Sequence, residues 1–331
     1  MTRVHISVVI PVYKAENSLD ELYQRLTNAL ETITTAFEIL LVEDCGGDGS
    51  WQVIKRLANT DPRIRGIQFS RNFGQHYGIT AGLDFCRGDW VVVMDCDLQD
   101  LPEEIPRLYA KAQEGYDVVR AGRGARQHSW MKRTLSWSFY RFFSYLADIK
   151  YDGDSANFCI VSRKVVLNLR NMREQLRFFG GLLQWTGFKS CKIDVHHATR
   201  LEGKSTYSFG KLWKLAGETI IAYSDKPLRL AVRMGFFMAS IAFLFGTYTL
   251  IHSLFYGSSV AGWSSLIISL YFIGGVIISI LGIIGIYLGK AFDETKKRPL
   301  YIVDNTTFDA SEASLSRPTG GALDYSEIWR Q

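Results

Sequence analysis

The chain has 331 residues, a formal net charge of +5 and a mean hydropathy near zero, which leaves room for one large domain plus an added module. The near-zero average conceals a split. The first 225 residues have an ordinary soluble composition, whereas no Asp, Glu, Lys or Arg occurs between Arg233 and Lys290. The modest positive charge comes without an aromatic-basic nucleic-acid motif, which excludes a nucleic-acid partner and assigns the excess to phosphates and lipid headgroups. Five cysteines (Cys45, Cys86, Cys96, Cys159, Cys191) show no paired metal-ligand spacing and read as reduced cytosolic thiols. Met1 leads straight into an apolar strand, with no signal peptide.

Taken in order, Val4 to Val12 is an apolar strand ended by Pro11-Val12-Tyr13-Lys14-Ala15-Glu16-Asn17. Ser18 and Glu21 have capping-box spacing, and Leu19, Leu22, Leu26 and Leu30 recur with helical period. Phe37 to Val42 is a second strand, closed by Glu43-Asp44-Cys45-Gly46-Gly47-Asp48-Gly49-Ser50 and followed by a helix through Val53, Ile54 and Leu57. Arg65 to Phe69 is a third, ended by Ser70-Arg71-Asn72-Phe73-Gly74-Gln75-His76 before a helix through Leu83. Val91 to Met94 is a strand buried on both faces, and Asp95 and Asp97 stand at its carboxyl end. Pro102-Glu103-Glu104 opens a helix with Pro and acid in its first turn, and Asp117 to Ala121 is a fifth strand. Strand-helix alternation of this kind predicts an α/β fold with a doubly wound, mostly parallel sheet.

In such a sheet Glu16, Asp44, Asp95 and Asp97 share the edge where open α/β sheets bind ligands. Paired carboxylates there are costly unless neutralised, and a hard divalent cation on a diphosphate would neutralise them. Alone, the pair also reads as a solvated turn, and Glu16 and Asp44 as helix-capping and turn residues.

The runs Val-Ile-Pro-Val-Tyr-Lys-Ala-Glu-Asn, Val-Glu-Asp with its Gly-rich turn, Arg-Asn-Phe-Gly-Gln-His and Asp-Cys-Asp-Leu-Gln resemble family 2 glycosyltransferases of the GT-A fold. With His196-His197-Ala198-Thr199-Arg200-Leu201-Glu202-Gly203-Lys204-Ser205-Thr206 and the apolar C-terminal region, they are similar to bacterial polyprenyl-phosphate glycosyltransferases from about Ile6 to Pro299. The resemblance implies an inverting enzyme that moves one sugar from a nucleotide diphosphate donor, UDP-linked, to polyprenyl (undecaprenyl) phosphate. It implies that Pro11, Tyr13 and Glu16 frame the nucleotide, that Asp44 reads the uracil edge, and that Asp95 and Asp97 hold Mg²⁺ or Mn²⁺ against the diphosphate. Many relatives read Gly-Asp-Phe-Arg-Leu where this chain has Asn157-Phe158-Cys159-Ile160, so Asp154 is expected to be the essential carboxylate and Asn157 only a hydrogen-bonding group.

Arg120, Arg123, Arg126, Lys132 and Arg133 surround the entry to an aromatic-rich stretch, 129–149, and a similar stretch occupies 207–223. Both fit helices lying in a headgroup layer, or core helices with a solvated basic face. Arg200, Ser205 and the basic cluster Arg123, Arg126, Lys132 and Arg133 are the expected acceptor-phosphate residues.

Residues 1–225 are thus expected to form a catalytic domain, 226–290 two membrane spans, and 291–331 a tail that is polar and poorly ordered beyond Val303. Basic flanks at Lys226, Arg229 and Arg233, and at Lys290, Lys296, Lys297 and Arg298, put both termini on the cytoplasmic side of the inner membrane. Gly275, Ser279, Gly285 and Gly289 permit close helix packing, and so a homo-oligomer is expected. A processive polysaccharide synthase would carry Gln-x-x-Arg-Trp, which neither Gln184-Trp185 nor Gln175-Leu176-Arg177 supplies. The rival reading from another class is an inactive membrane scaffold or lipid-phosphate-binding partner.

Overall fold

A computed structural model describes residues 3–123, 155–196, 226–256 and 263–309. The stretches expected to lie in a headgroup layer, 129–149 and 207–223, together with Arg126, Lys132, Arg133, Asp154, Arg200 and Ser205, lie outside the described residues.

The apolar runs become strands β1 (Ile6–Val12), β2 (Phe37–Glu43), β3 (Ile64–Phe69) and β4 (Trp90–Val93), linked by helices α1 (Leu19–Glu31), α2 (Ser50–Thr60) and α3 (Gln75–Phe85). These four strands pair in parallel, in the order β4-β1-β2-β3. Every residue of β1 and β2 is buried, as a strand covered by helices on both faces requires. A 3₁₀ turn (Pro102–Glu104) and α4 (Ile105–Gln113) follow, then β5 (Val118–Arg123).

The far side of the sheet is mixed. β6 (Ser155–Ser162) enters antiparallel between β4 and β5, and β7 (Ser190–Val195) runs parallel to β5. Between them lie α5 (Arg163–Asn171) and α6 (Phe179–Trp185). The full order is β7-β5-β6-β4-β1-β2-β3-β8, with β8 (Val303–Thr306) antiparallel to β3.

Two local expectations are corrected. Ser18 forms no side-chain cap on α1; its hydroxyl instead donates to the carbonyls of Ala15 (3.1 Å) and Cys96 (3.0 Å). That links the first helix to the Asp-x-Asp turn, a use of the hydroxyl that competes with capping. The chain beyond Val303 is not an unstructured tail at its start, because β8 completes the sheet.

α3 lies close on β1. A Cβ built on Gly82 would stand 2.1 Å from Val9 Cγ1, so no larger residue fits there without displacing the strand or helix. This tight seat brings the start of α3 to the carboxyl edge of the parallel strands.

A second unit contains the long helices α7 (Lys226–Tyr256, 31 residues) and α8 (Trp263–Thr295, 33 residues). Among the described residues one stretch, Phe272–Thr295 within α8, is long and apolar enough to cross a membrane. The expectation of two spans is met to that extent alone. α7 exposes Phe236, Phe237, Leu244 and Phe255 but also carries Thr247, Tyr248, Thr249, His252 and Ser253.

Candidate active site

Register gathers the site. Val12 pairs with Glu43 and Val9 with Val93. Just beyond, the Asp44 amide donates to Val12 O (2.9 Å) and the Met94 amide to Val9 O (3.2 Å). The ends of β1, β2 and β4 therefore lie side by side, and Tyr13, Glu16, Asp44, Asp95 and Asp97 all follow them at one sheet edge.

Asp95 is partly buried. Its carboxyl is pushed up to about 7 by burial, with repulsion from Asp100 and Asp97 adding to the effect. Hydrogen bonds from Gln75 and Asn157 pull the other way. Gln75 Nε2 donates to Asp95 Oδ1 at 2.6 Å. Asp97 is exposed and accepts from the amide (3.2 Å) and the side chain (2.7 Å) of Gln99. Leu98, between Asp97 and Gln99, has φ +60, which turns the chain directly after Asp97. The Tyr13 amide donates to the thiol of Cys96, which ties the end of β1 to this turn.

Asp44 is buried, and both its oxygens are used inside the protein. They accept from the amides of Phe73 (2.7 Å) and Gly74 (2.8 Å), while burial raises its pKa. The predicted uracil reader is thus seen holding the Arg71-Asn72-Phe73-Gly74 loop. Glu16 accepts from the amide of Gly49 (3.0 Å), the residue before α2, which is the capping use considered above. Tyr13 is half-exposed, with Lys14 Nζ 5.5 Å from its ring centroid. Pro11 is buried in β1 and presents no side chain at the rim. Arg123 ends β5.

Two contributors, Gln75 and Asp100, were not picked out from the sequence. Gln75 stood in a quoted motif, but nothing in its spacing showed that it reaches Asp95. Asp100 is buried beside Asp95, and Asn157 reaches the same carboxylate from β6. Among the described residues no three His, Cys, Asp or Glu side chains are grouped to hold a metal. A Mg²⁺-type site needs fewer, since such ions bind through one or two carboxylates plus substrate phosphates. Asp95 and Asp97, hard oxygen donors with surplus negative charge around them, suit that arrangement.

A mixed sheet with an Asp-x-Asp turn at its parallel edge defines a GT-A-like class of sugar transferase. Residues 7–168 match Glycosyl transferase family 2, and the chain belongs to that family. It is 38% identical over 304 residues to the uncharacterized glycosyltransferase YkcC of Bacillus subtilis, covering 92% of this chain and 94% of that one. It is 36% identical over 302 residues to the bactoprenol glucosyl transferase of Shigella phage SfV, covering 91% and 98%. A prophage bactoprenol glucosyl transferase homolog of Escherichia coli K12 is 35% identical over 300 residues, covering 90% and 98%.

Proposed function

We propose that this protein transfers one sugar from a nucleotide diphosphate donor to polyprenyl phosphate at a membrane surface. The observation that carries the reading is the near full-length likeness to bactoprenol glucosyl transferases, which extends through the apolar helices as well as the sheet. A scaffold would need only the helices, whereas here the charged sheet edge is built as well.

The reaction forms a bond from an acceptor phosphate oxygen to the anomeric carbon and breaks the bond from that carbon to the donor diphosphate. The acceptor is already an anion and needs no strong base to become a nucleophile. Catalysis then rests on in-line positioning and on stabilising the departing nucleoside diphosphate. Asp95 and Asp97 would hold a divalent cation, Mg²⁺ or Mn²⁺, which when bound supplies charge screening between diphosphate and carboxylates. Pro11, Tyr13 and Glu16 would frame the nucleotide, the first through the backbone it shapes. Asp44 would act on it through the loop it holds. Arg200, Ser205, Arg123, Arg126, Lys132 and Arg133 are proposed for the acceptor phosphate, and Asp154 for orienting acceptor or arginine.

The membrane reading takes both α7 and α8 as spans, with the sheet unit and both termini in the cytoplasm. Exposed Phe, Leu and Ile side chains on both helices support it, because such surfaces are unfavourable in water and suited to lipid. The test is an assay of purified full-length protein with a panel of UDP-sugars, with and without polyprenyl phosphate. UDP release that depends on the lipid phosphate is expected for one sugar. Release unaffected by the lipid, or none with any donor, would overturn the assignment.

A further inference from the structure

Asp95 is held from two sides by neutral amides that come from different parts of the fold. Gln75 is the first residue of α3, and Asn157 belongs to β6, the strand inserted antiparallel beside β4. Gln75 donates at 2.6 Å to Oδ1, and Asn157 makes a second side-chain hydrogen bond to the same carboxylate. Asp97 and Asp100 supply only negative charge nearby.

The Gln75 arm is itself built in stages. Asp44 binds the amides of Phe73 and Gly74. Gly74 has φ +107, a conformation that disfavours side chains, and it is the residue from which α3 starts. The seat of Gly82 on Val9 then fixes where that helix begins. A carboxylate in the nucleotide region is thereby connected, through one turn and one residue, to a carboxylate of the Asp-x-Asp turn.

We propose that Gln75 and Asn157 are positioning residues that clamp Asp95 and leave its remaining lone pairs directed at a diphosphate-bound divalent cation. The proposal rests on the metal reading given above. It also accounts for amide rather than carboxylate at position 157. A carboxylate there would face Asp95 across a hydrogen-bond distance with Asp97 and Asp100 already close, and it would lack the donor. Asn157 therefore acts through Asp95 and has no part in proton transfer.

The test uses the full chain in detergent, with Mn²⁺ as the probe and UDP present, and free Mn²⁺ read by electron paramagnetic resonance. Gln75→Met and Asn157→Leu keep side-chain bulk while removing the donors. Each is expected to weaken Mn²⁺ binding about tenfold or more, the usual consequence of losing an outer-shell hydrogen bond to a metal ligand. Metal-free melting temperature and metal-free UDP affinity are expected to stay at the wild-type values. Unchanged Mn²⁺ affinity in both variants would overturn the clamp. A fall in metal-free melting temperature that accounts for the loss would also overturn it, by reducing both residues to structural supports. Failure of the wild type to bind Mn²⁺ in the presence of UDP is a separate result, which would remove the metal reading and the clamp with it.

Discussion

At the scale of single residues, Asp97 and His76 show opposite uses of the environment. Asp97 is exposed and, among the described residues, is held by Gln99 two positions away, so its contribution to stability is small and its freedom to meet a ligand is large. Asp97→Asn is expected to leave folding intact and to lower turnover by about 100-fold, which corresponds to about 3 kcal/mol of lost charge screening. Turnover near wild type, in buffer containing EDTA, would sink the role of this carboxylate. Asp154→Asn is expected to lose most turnover with donor affinity unchanged, and wild-type turnover in that variant would leave the reaction to phosphate nucleophilicity and positioning. His76 packs edge-on against Phe178, and its Nδ1 is sealed from solvent without a hydrogen-bond partner among the described residues. Burial, with a smaller contribution from Arg177, lowers its pKa to about 4. Below about pH 6.5 the unfolded chain takes up a proton that the folded chain refuses until about pH 4. Stability therefore falls with pH across that window, by about 3 kcal/mol in total, and is unaffected above it. His76→Phe should remove this part of the pH dependence of the urea midpoint, and an identical slope in the variant would show that other groups carry it.

At the scale of elements, the parallel half of the sheet was legible because its strands are continuous apolar runs. Val91-Val92-Val93 and Val8-Val9-Ile10 leave little choice once helices must cover both faces. β6 was not read as a strand, since Asn157-Phe158-Cys159-Ile160 drew notice for a missing carboxylate, and its partners β4 and β5 are distant in sequence. β8 was missed for a different reason. Val303-Asp304-Asn305-Thr306 has little strand propensity, and what holds it is tertiary. Gln75 belongs to the same kind of omission, as does the partner of Asn157, because which carboxylate an amide meets depends on strand order rather than spacing. The segment around β8 is anchored throughout. Gln175 Nε2 donates to Arg298 O (2.7 Å), and Tyr301 donates to Asp84 (2.8 Å) while stacking on Phe69. Thr307 exchanges two hydrogen bonds with Gly66, and Arg65 lies 3.9 Å from the ring centroid of Phe308. A chain stopped after Lys297 should lose the cover of β3 and present an open strand edge, with a melting temperature lower by roughly 10 °C or more and a tendency to aggregate. A chain stopped after Asp309 should melt within about 2 °C of the full chain. Equal melting of both truncations would show that β8 contributes nothing to the sheet.

At the scale of the whole molecule, β8 constrains how the chain meets a membrane. The residues after α8 pair with β3, in the same unit as the first 123 residues, so a chain that crosses a bilayer after leaving that unit has to return to it. If the apolar stretch Phe272–Thr295 crosses the bilayer, the number of crossings must be even. Another crossing must then lie between β7 and Trp263, and α7 is the described helix in that interval. Its 31 residues extend about 46 Å, enough for a hydrocarbon layer of about 30 Å with both ends in the interfaces. With α7 as a span, Thr247, Tyr248, Thr249, His252 and Ser253, in the second half of the helix, would fall toward the far interface. The basic residues sort to the opposite ends, with Lys226, Arg229 and Arg233 at the start of α7 and Lys290, Lys296, Lys297 and Arg298 at and beyond the end of α8. A reporter inserted at Ser259 should therefore be accessible from the periplasm, and reporters at either terminus only from the cytoplasm. Deleting α7 alone should force α8 to lie on the surface or strand β8 on the wrong side, with loss of lipid-dependent UDP release in either case. Cytoplasmic labelling at Ser259 in the intact chain would mean that neither helix spans the bilayer, and that both lie against its inner face.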